Sequence, residues 1–227
     1  MNIEFDGRAV FLTGAGRGIG KKIKEMFLEN GAEVIAPSHE ELALEDEGVV
    51  EGYLKAYNKK NPDIFIHCAG INRLAGIEKV NQELLQEVMQ VNCFSAVRLL
   101  RKFIPGMKEK KYGRVVLISS LYAIISRENR IAYSASKNAM TGIMKSIALE
   151  TAADNILLNA VAPGYVMTDM TKRNLSGQEI KDIQQMIPTG RFQTETDIAS
   201  LVCFLCSQFN QSITGQLIAV DGGFTCK

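Results

Sequence analysis

Short apolar runs recur along the chain at residues 8–13, 33–36, 63–67, 114–119, 155–161 and 216–220, and helix-length segments separate them. The run Arg114-Val-Val-Leu-Ile-Ser119 is almost continuously hydrophobic, the pattern of a strand covered on both faces rather than one. Between the runs, apolar residues return at helical spacing over 18–30, 47–60, about 79–110 with a break, 131–152, 176–186 and 195–208. Strands that alternate with helices predict a parallel sheet, and right-handed crossovers place the helices on both of its faces. The expected fold is therefore α/β: a doubly wound parallel sheet in a three-layer α/β/α arrangement, with residues 1–227 forming a single domain.

Composition agrees with one sizeable core, since 46% of the 227 residues are hydrophobic and 22% charged. The net charge of +1 comes from 26 basic and 25 acidic side chains dispersed along the chain, so no nucleic-acid partner is expected. The densest basic stretch, Lys108 to Lys111, reads as a solvated helix end. No apolar run reaches the roughly 18 residues that span a bilayer, and the opening residues carry no signal-peptide pattern; the expectation is a soluble, cytoplasmic protein without a membrane partner. Five cysteines, mostly in apolar surroundings, read as reduced packed thiols. Cys203 and Cys206 have C-x-x-C spacing inside a helical pattern with no second pair, which favours packing over a redox or metal site.

In open parallel sheets ligands bind beyond the carboxyl ends of the strands, so candidate chemistry belongs just after each run. Thr13-Gly-Ala-Gly-Arg-Gly-Ile-Gly20 follows the first run and opens a helix, and Gly14, Gly18 and Gly20 permit a tight turn that brings backbone amides close to a pyrophosphate. The spacing is T-G-x-x-x-G-x-G, not G-x-G-x-x-G. Tyr133 and Lys137 stand four positions apart in a helical segment, which places phenol and ammonium on one face. A phenol with a reference pKa near ~10 needs a neighbouring cation to exchange protons at neutral pH. Ser119-Ser120 ends the run before that helix, and Asn92 lies in Val91-Asn-Cys-Phe-Ser95.

Together these motifs resemble the short-chain dehydrogenase/reductase family over about residues 7–225, and within it 3-oxoacyl-[acyl-carrier-protein] reductase-like members. The resemblance implies a Rossmann-type sheet and an NAD(P)-dependent exchange of hydride between a carbonyl and a secondary alcohol. It implies that Asn92, Ser120, Tyr133 and Lys137 are catalytic: Ser120 binds the substrate oxygen, Tyr133 passes the proton, Lys137 also holds the nicotinamide ribose, and Asn92 anchors a water leading from Lys137. It further implies cofactor contacts at Gly14, Arg17, Gly18, Ile19, Gly20, Ala69, Gly70, Asn92, Tyr133, Lys137, Pro163, Gly164, Val166 and Thr168. A small substrate cap is expected at about 170–191, with a helix start at Ser176-Gly-Gln-Glu179.

Two departures matter. The family's N-N-A-G reads His67-Cys-Ala-Gly70 here, and His67 is expected to replace a structural contact. The interval between 33–36 and 63–66 is too short for the usual helix, strand and helix; Glu41 to Asp46 is expected to form the next strand, with Asp46 meeting adenine. The position after the second run, Ala36-Pro-Ser-His39, lacks the carboxylate that favours NAD, whereas Arg17, Ser38 and His39 suit a 2′-phosphate, so NADP(H) is expected. For substrate the expectation is a 3-oxoacyl thioester; the alternatives are a keto-sugar or sugar nucleotide, or a non-catalytic NADP(H) sensor. Apolar faces on 92–110 and 131–152, with Ala139, Met140, Ile143, Met144 and Ile147, suggest a homodimer or homotetramer.

Overall fold

A computed structural model of the chain describes residues 2–167, 171 and 176–226. Its strands are β1 (Ala9–Thr13), β2 (Glu33–Ile35), β3 (Ile64–His67), β4 (Gly113–Ile118), β5 (Ile156–Pro163) and β6 (Leu217–Val220), paired in the order β2-β1-β3-β4-β5-β6. Every pairing is parallel. The connecting helices are α1 (Gly18–Glu29), α2 (Glu47–Ala56), α3 (Gln82–Met89), α4 (Ser95–Lys110), α5 (Ile131–Thr151), α6 (Gly177–Met186) and α7 (Glu195–Cys206). The chain runs from β1 outward to β2 and then returns to the other side of β1, so the winding reverses between β1 and β3. The crevice that such a reversal opens is where a ligand fits.

Successive strand side chains alternate between faces, and both faces are apolar. Phe11, Phe65, Val115, Leu117 and Leu158 meet Val50, Leu54, Leu99, Phe103, Met140 and Met144 from α2, α4 and α5. On the other side, Val10, Leu12, Ile64, Ile66, Val116 and Ile118 meet Ile23 and Phe27 of α1 and Ile198 and Val202 of α7. Phe11 and Phe103 pack with tilted rings, their centroids 4.9 Å apart. Each fully buried ring of this kind contributes about 1.5–3 kcal/mol relative to an exposed one. Cys93, Cys203 and Cys206 are free and buried within these layers, as expected for packed thiols. The basic stretch at the end of α4 is also structural: Lys110 Nζ lies 2.8 Å from Asp63 Oδ1, and Lys108 and Lys111 both pair with Asp154. None of the described helices is long and apolar enough to cross a membrane.

The expected break within 79–110 is a π turn at Gln90–Phe94, between α3 and α4. The expected strand at 41–46 does not form. Its alternation is real, because Leu42 and Leu44 are buried against Ile35 and Val50, but no ladder starts there. Pro37 has no N–H to donate, and Leu42 N bonds back to Ser38 O at 3.0 Å, folding the segment into a turn. Asp46 is the N-cap of α2, its Oδ1 accepting from Val49 N at 3.1 Å. The sheet therefore ends at β2, with α2 alone between β2 and β3.

Candidate active site

The loop from β1 to α1 is shaped by close backbone packing. Gly14 has φ +72°, and a Cβ there would lie 2.6 Å from the backbone nitrogen of Ala69; a Cβ on Gly20 would lie 2.1 Å from the Gly14 carbonyl oxygen. Only glycine lets the loop sit against the end of β3 with α1 starting directly behind it. The first turn of α1 carries no acidic residue, so its free N–H groups and the positive end of its dipole face the crevice uncompensated. Arg17 is the extended N-cap residue of α1.

His67 braces this loop. Its Nδ1 is 3.0 Å from Thr13 Oγ1, which accepts from Ala69 N at 3.3 Å. Since the Thr13 hydroxyl accepts from Ala69, its own proton is free for His67 Nδ1, tying the ends of β1 and β3 together. Burial drives the His67 pKa down to about 3, so the ring is neutral and structural, as expected.

Asn92 sits in the π turn and is fully buried. Its Oδ1 accepts from Ile71 N at 2.8 Å, and its Nδ2 donates to Ile71 O at 2.9 Å and to Ser136 Oγ at 3.0 Å. Both amide hydrogens are committed. Asn92 does not line the crevice; it joins the loop after β3 to α5 beneath it.

Ser120 is the second residue past the end of β4, and its Oγ accepts from Tyr122 N at 3.2 Å. Tyr133 and Lys137 lie on one face of α5, with Lys137 Nζ 5.6 Å from the centre of the Tyr133 ring. Lys137 Nζ donates to Ile118 O at 2.8 Å, and burial lowers its pKa to about 8. Burial raises the Tyr133 pKa, while the Ser120 hydroxyl and the cation of Arg130 oppose the rise. The cation expected to act on the phenol was Lys137; the cation that opposes the rise is instead Arg130, and nothing in its sequence setting advertised it.

Gly14, Arg17, Gly18, Ile19, Gly20, Ser38, His39, Ala69, Gly70, Ser120, Tyr133, Lys137, Pro163, Gly164 and Val166 line one cavity of about 1020 Å³. That volume suits a dinucleotide with a small substrate. Val166 is held by a parallel bridge to Gln193, and Gly164 N bonds Val220 O at 2.9 Å, fixing the turn after β5. Thr168 lies outside the described residues. In place of Asp46, Leu44 and Glu45 form the cavity wall. Other wall residues that local patterns did not single out are Arg130, Tyr122 and Tyr165, the last two joined hydroxyl to hydroxyl at 3.1 Å. Of the expected cap, α6 is present, started by a capping box between Ser176 and Glu179.

Comparison with known proteins agrees with this geometry. Residues 45–225 match the family described as enoyl-(acyl carrier protein) reductase. The chain is 34% identical to the 3-oxoacyl-[acyl-carrier-protein] reductase of Vibrio cholerae, with 98% of each chain covered, and 31% identical to that of Escherichia coli, with 97% and 98% covered. Among solved structures it is similar to a putative NAD(P)-dependent gluconate 5-dehydrogenase from Beutenbergia cavernae with bound NADP, at 30% identity, full coverage of both chains and a TM-score of 0.93. A 4-hydroxyisoleucine dehydrogenase complexed with NADH matches at 26% identity and a TM-score of 0.91, with 97% and 100% of the two chains covered.

Proposed function

This chain belongs to the short-chain dehydrogenase/reductase family, whose members exchange hydride between CH–OH and C=O groups, and on that premise we propose an NADP(H)-dependent enzyme working through Ser120, Tyr133 and Lys137. One observation carries the reading: those three side chains line the same cavity as the glycine loop. The residues fit a nicotinamide dinucleotide. Gly14 and Gly20, where a Cβ would strike the backbone of Ala69 and Gly14, hold the loop tight against the end of β3, and the first turn of α1 meets a pyrophosphate with free N–H groups and no carboxylate. When bound, the nicotinamide supplies or accepts the hydride.

The chain's own groups handle the substrate oxygen and its proton. Ser120 Oγ accepts from Tyr122 N and its hydroxyl faces the Tyr133 phenol, so a carbonyl oxygen seated between the two would take its O–H. Tyr133 holds the proton that oxygen gains or loses. Lys137, with a pKa of about 8, is mostly an ammonium at neutral pH and presents that charge to the nicotinamide ribose hydroxyls and to the Tyr133 ring, 5.6 Å away. Asn92 is a positioning residue, since its committed amide leaves only Oδ1 capacity and its backbone carbonyl to hold a water.

Preference for the 2′-phosphate rests on Arg17, which lines the cavity and makes no ion pair among the described residues. The nearby carboxylates are engaged: Glu41 Oε2 accepts from Ser38 N, and Glu45 Oε1 lies 2.7 Å from His39 Nε2. The pairing with Glu45 makes His39 a weaker phosphate ligand than its position alone implies. The measurement is NADPH and NADH dissociation constants for the parent and Arg17→Ala, followed by NADPH-linked reduction of a carbonyl panel with Tyr133→Phe alongside. NADPH should bind at least tenfold tighter than NADH, Arg17→Ala should erase that margin, and Tyr133→Phe should lose about 10²–10⁴ in turnover. Equal binding of the two cofactors defeats the NADP assignment, and full turnover in Tyr133→Phe defeats the mechanism.

For the substrate, likeness to the Vibrio cholerae enzyme supports a 3-oxoacyl thioester, and likeness to the gluconate 5-dehydrogenase supports a polyhydroxylated acid. The charge on the cavity wall favours the acid.

A further inference from the structure

Arg130 is the N-cap residue of α5, one helical turn before Tyr133, and it is 6% exposed. Its place in the fold is electrostatically poor. A buried cation costs several kcal/mol unless it is paired, and the start of a helix is the end that repels positive charge. α5 has no acidic residue in its first turn, and the Arg130 guanidinium has no hydrogen bond or ion pair among the described residues; its Nη1 is buried without a partner. What holds it is the Tyr122 ring, 5.4 Å from the guanidinium carbon, together with a backbone bridge between its own residue and Ala75. A ring face leaves the N–H fork unused. Tyr122 and Arg130 both line the cavity that holds Ser120 and Tyr133. Asn72, on the same wall, has a buried Oδ1 without a partner, an acceptor for a hydroxyl.

Resting on the assignment of Ser120 and Tyr133 to the substrate oxygen, we propose that Arg130 receives a carboxylate of the substrate, so that the substrate is a small hydroxy or oxo acid whose carboxylate lies a few atoms from the reacting carbon. Residues at i and i+3 of a helix are about 5–6 Å apart at Cβ, which sets that short spacing. A guanidinium fork matches a carboxylate with two parallel hydrogen bonds, and the ligand supplies the counter-charge that the fold withholds. Asn72 Oδ1 would take a neighbouring substrate hydroxyl.

The test is calorimetric binding to the full chain saturated with NADP⁺, using gluconate, 3-hydroxybutyrate and succinate against their neutral counterparts glucitol, 3-hydroxybutyramide and succinamide. At least one acid should bind tenfold or more tighter than its neutral partner. Arg130→Gln should abolish that margin with NADP⁺ affinity unchanged, and Arg130→Lys should restore part of it. Absence of a tenfold margin for all three acids, undetectable binding included, overturns the proposal, as does a margin that survives Arg130→Gln. A pH profile of turnover separates the remaining role. If Arg130→Gln shifts the profile and slows charged and neutral substrates alike, Arg130 only tunes Tyr133 and the proposal fails. Failure of the reaction itself shows elsewhere, as undiminished turnover in Tyr133→Phe, and leaves the binding comparison standing on its own.

Discussion

At the scale of single residues, Lys137 sets function against stability. It is buried, its ammonium has no carboxylate partner among the described residues, and its pKa is about 8 instead of the ordinary 10.5. Below pH 8 the folded chain carries a desolvated charge that the unfolded chain keeps in water. The pKa difference corresponds to a destabilisation of about 3 kcal/mol, present below the folded pKa and relieved as pH rises from about 8 to 10.5, where the unfolded chain binds the extra proton. Lys137→Met should therefore raise the urea midpoint at pH 7, by less at pH 10, while turnover collapses; a lower midpoint at pH 7 would show that the bond to Ile118 outweighs the burial cost. The shared helix face of Tyr133 and Lys137 was legible in the sequence because a short, local spacing carries it, whereas Ser120 was singled out only through the family resemblance. Arg130 was not legible, since an arginine before a helix is ordinary, and only the fold reveals that Tyr122 and the Ala75 bridge bury it without a counter-ion. Asp46 was misread for a related reason: as a potential ligand it looks the same as an N-cap until α2 is seen to begin at the next residue.

Among elements, the strands and most helices follow from period and length, but two irregular segments do not. The π turn at Gln90–Phe94 contains neither glycine nor proline; its widening accompanies the grip of Asn92 on Ile71 and Ser136, contacts distant in sequence that a helical period does not record. Residues 41–46 mislead in the opposite way, for Leu42 and Leu44 alternate as in a strand while the backbone has no neighbour to pair with. The π turn makes a prediction. Asn92→Ala would leave the half-buried Ile71 N–H and carbonyl without their side-chain partner, which costs about 1–2 kcal/mol. The urea midpoint should fall accordingly, and the NADP⁺ dissociation constant should rise, because the loop at Ala69-Gly70 is no longer tied to α5. An unchanged midpoint would mean that Ile71 finds other partners.

For the whole molecule, the association expected from the sequence rests on a different set of residues from those first singled out. Met140 and Met144 are spent inside the chain's own core, and Ala139, Ile143 and Ile147 pack partly against it. The exposed side of α5 carries Ile131, Ala135, Asn138, Gly142 and Leu149, and that of α4 carries Val97, with Phe94 in the π turn before it. Leu149 is 86% exposed, which an isolated chain has no reason to favour. Gly142 supplies the sharpest test, because a Cβ built there meets nothing within 4 Å. In a lone chain, replacing a mid-helix glycine gains roughly 0.5–1 kcal/mol of helix stability, since a side chain restricts the unfolded backbone. Where a second helix lies across that glycine, a larger side chain holds the backbones apart. Gly142→Ala should therefore raise the urea midpoint and leave association intact, whereas Gly142→Leu should keep a folded chain that sediments in smaller assemblies than the parent. We expect the parent to sediment at micromolar concentration as a dimer or tetramer of 25.0 kDa chains. A monomeric parent removes the association proposal outright, and an oligomer untouched by Gly142→Leu moves the contact away from the exposed face of α5.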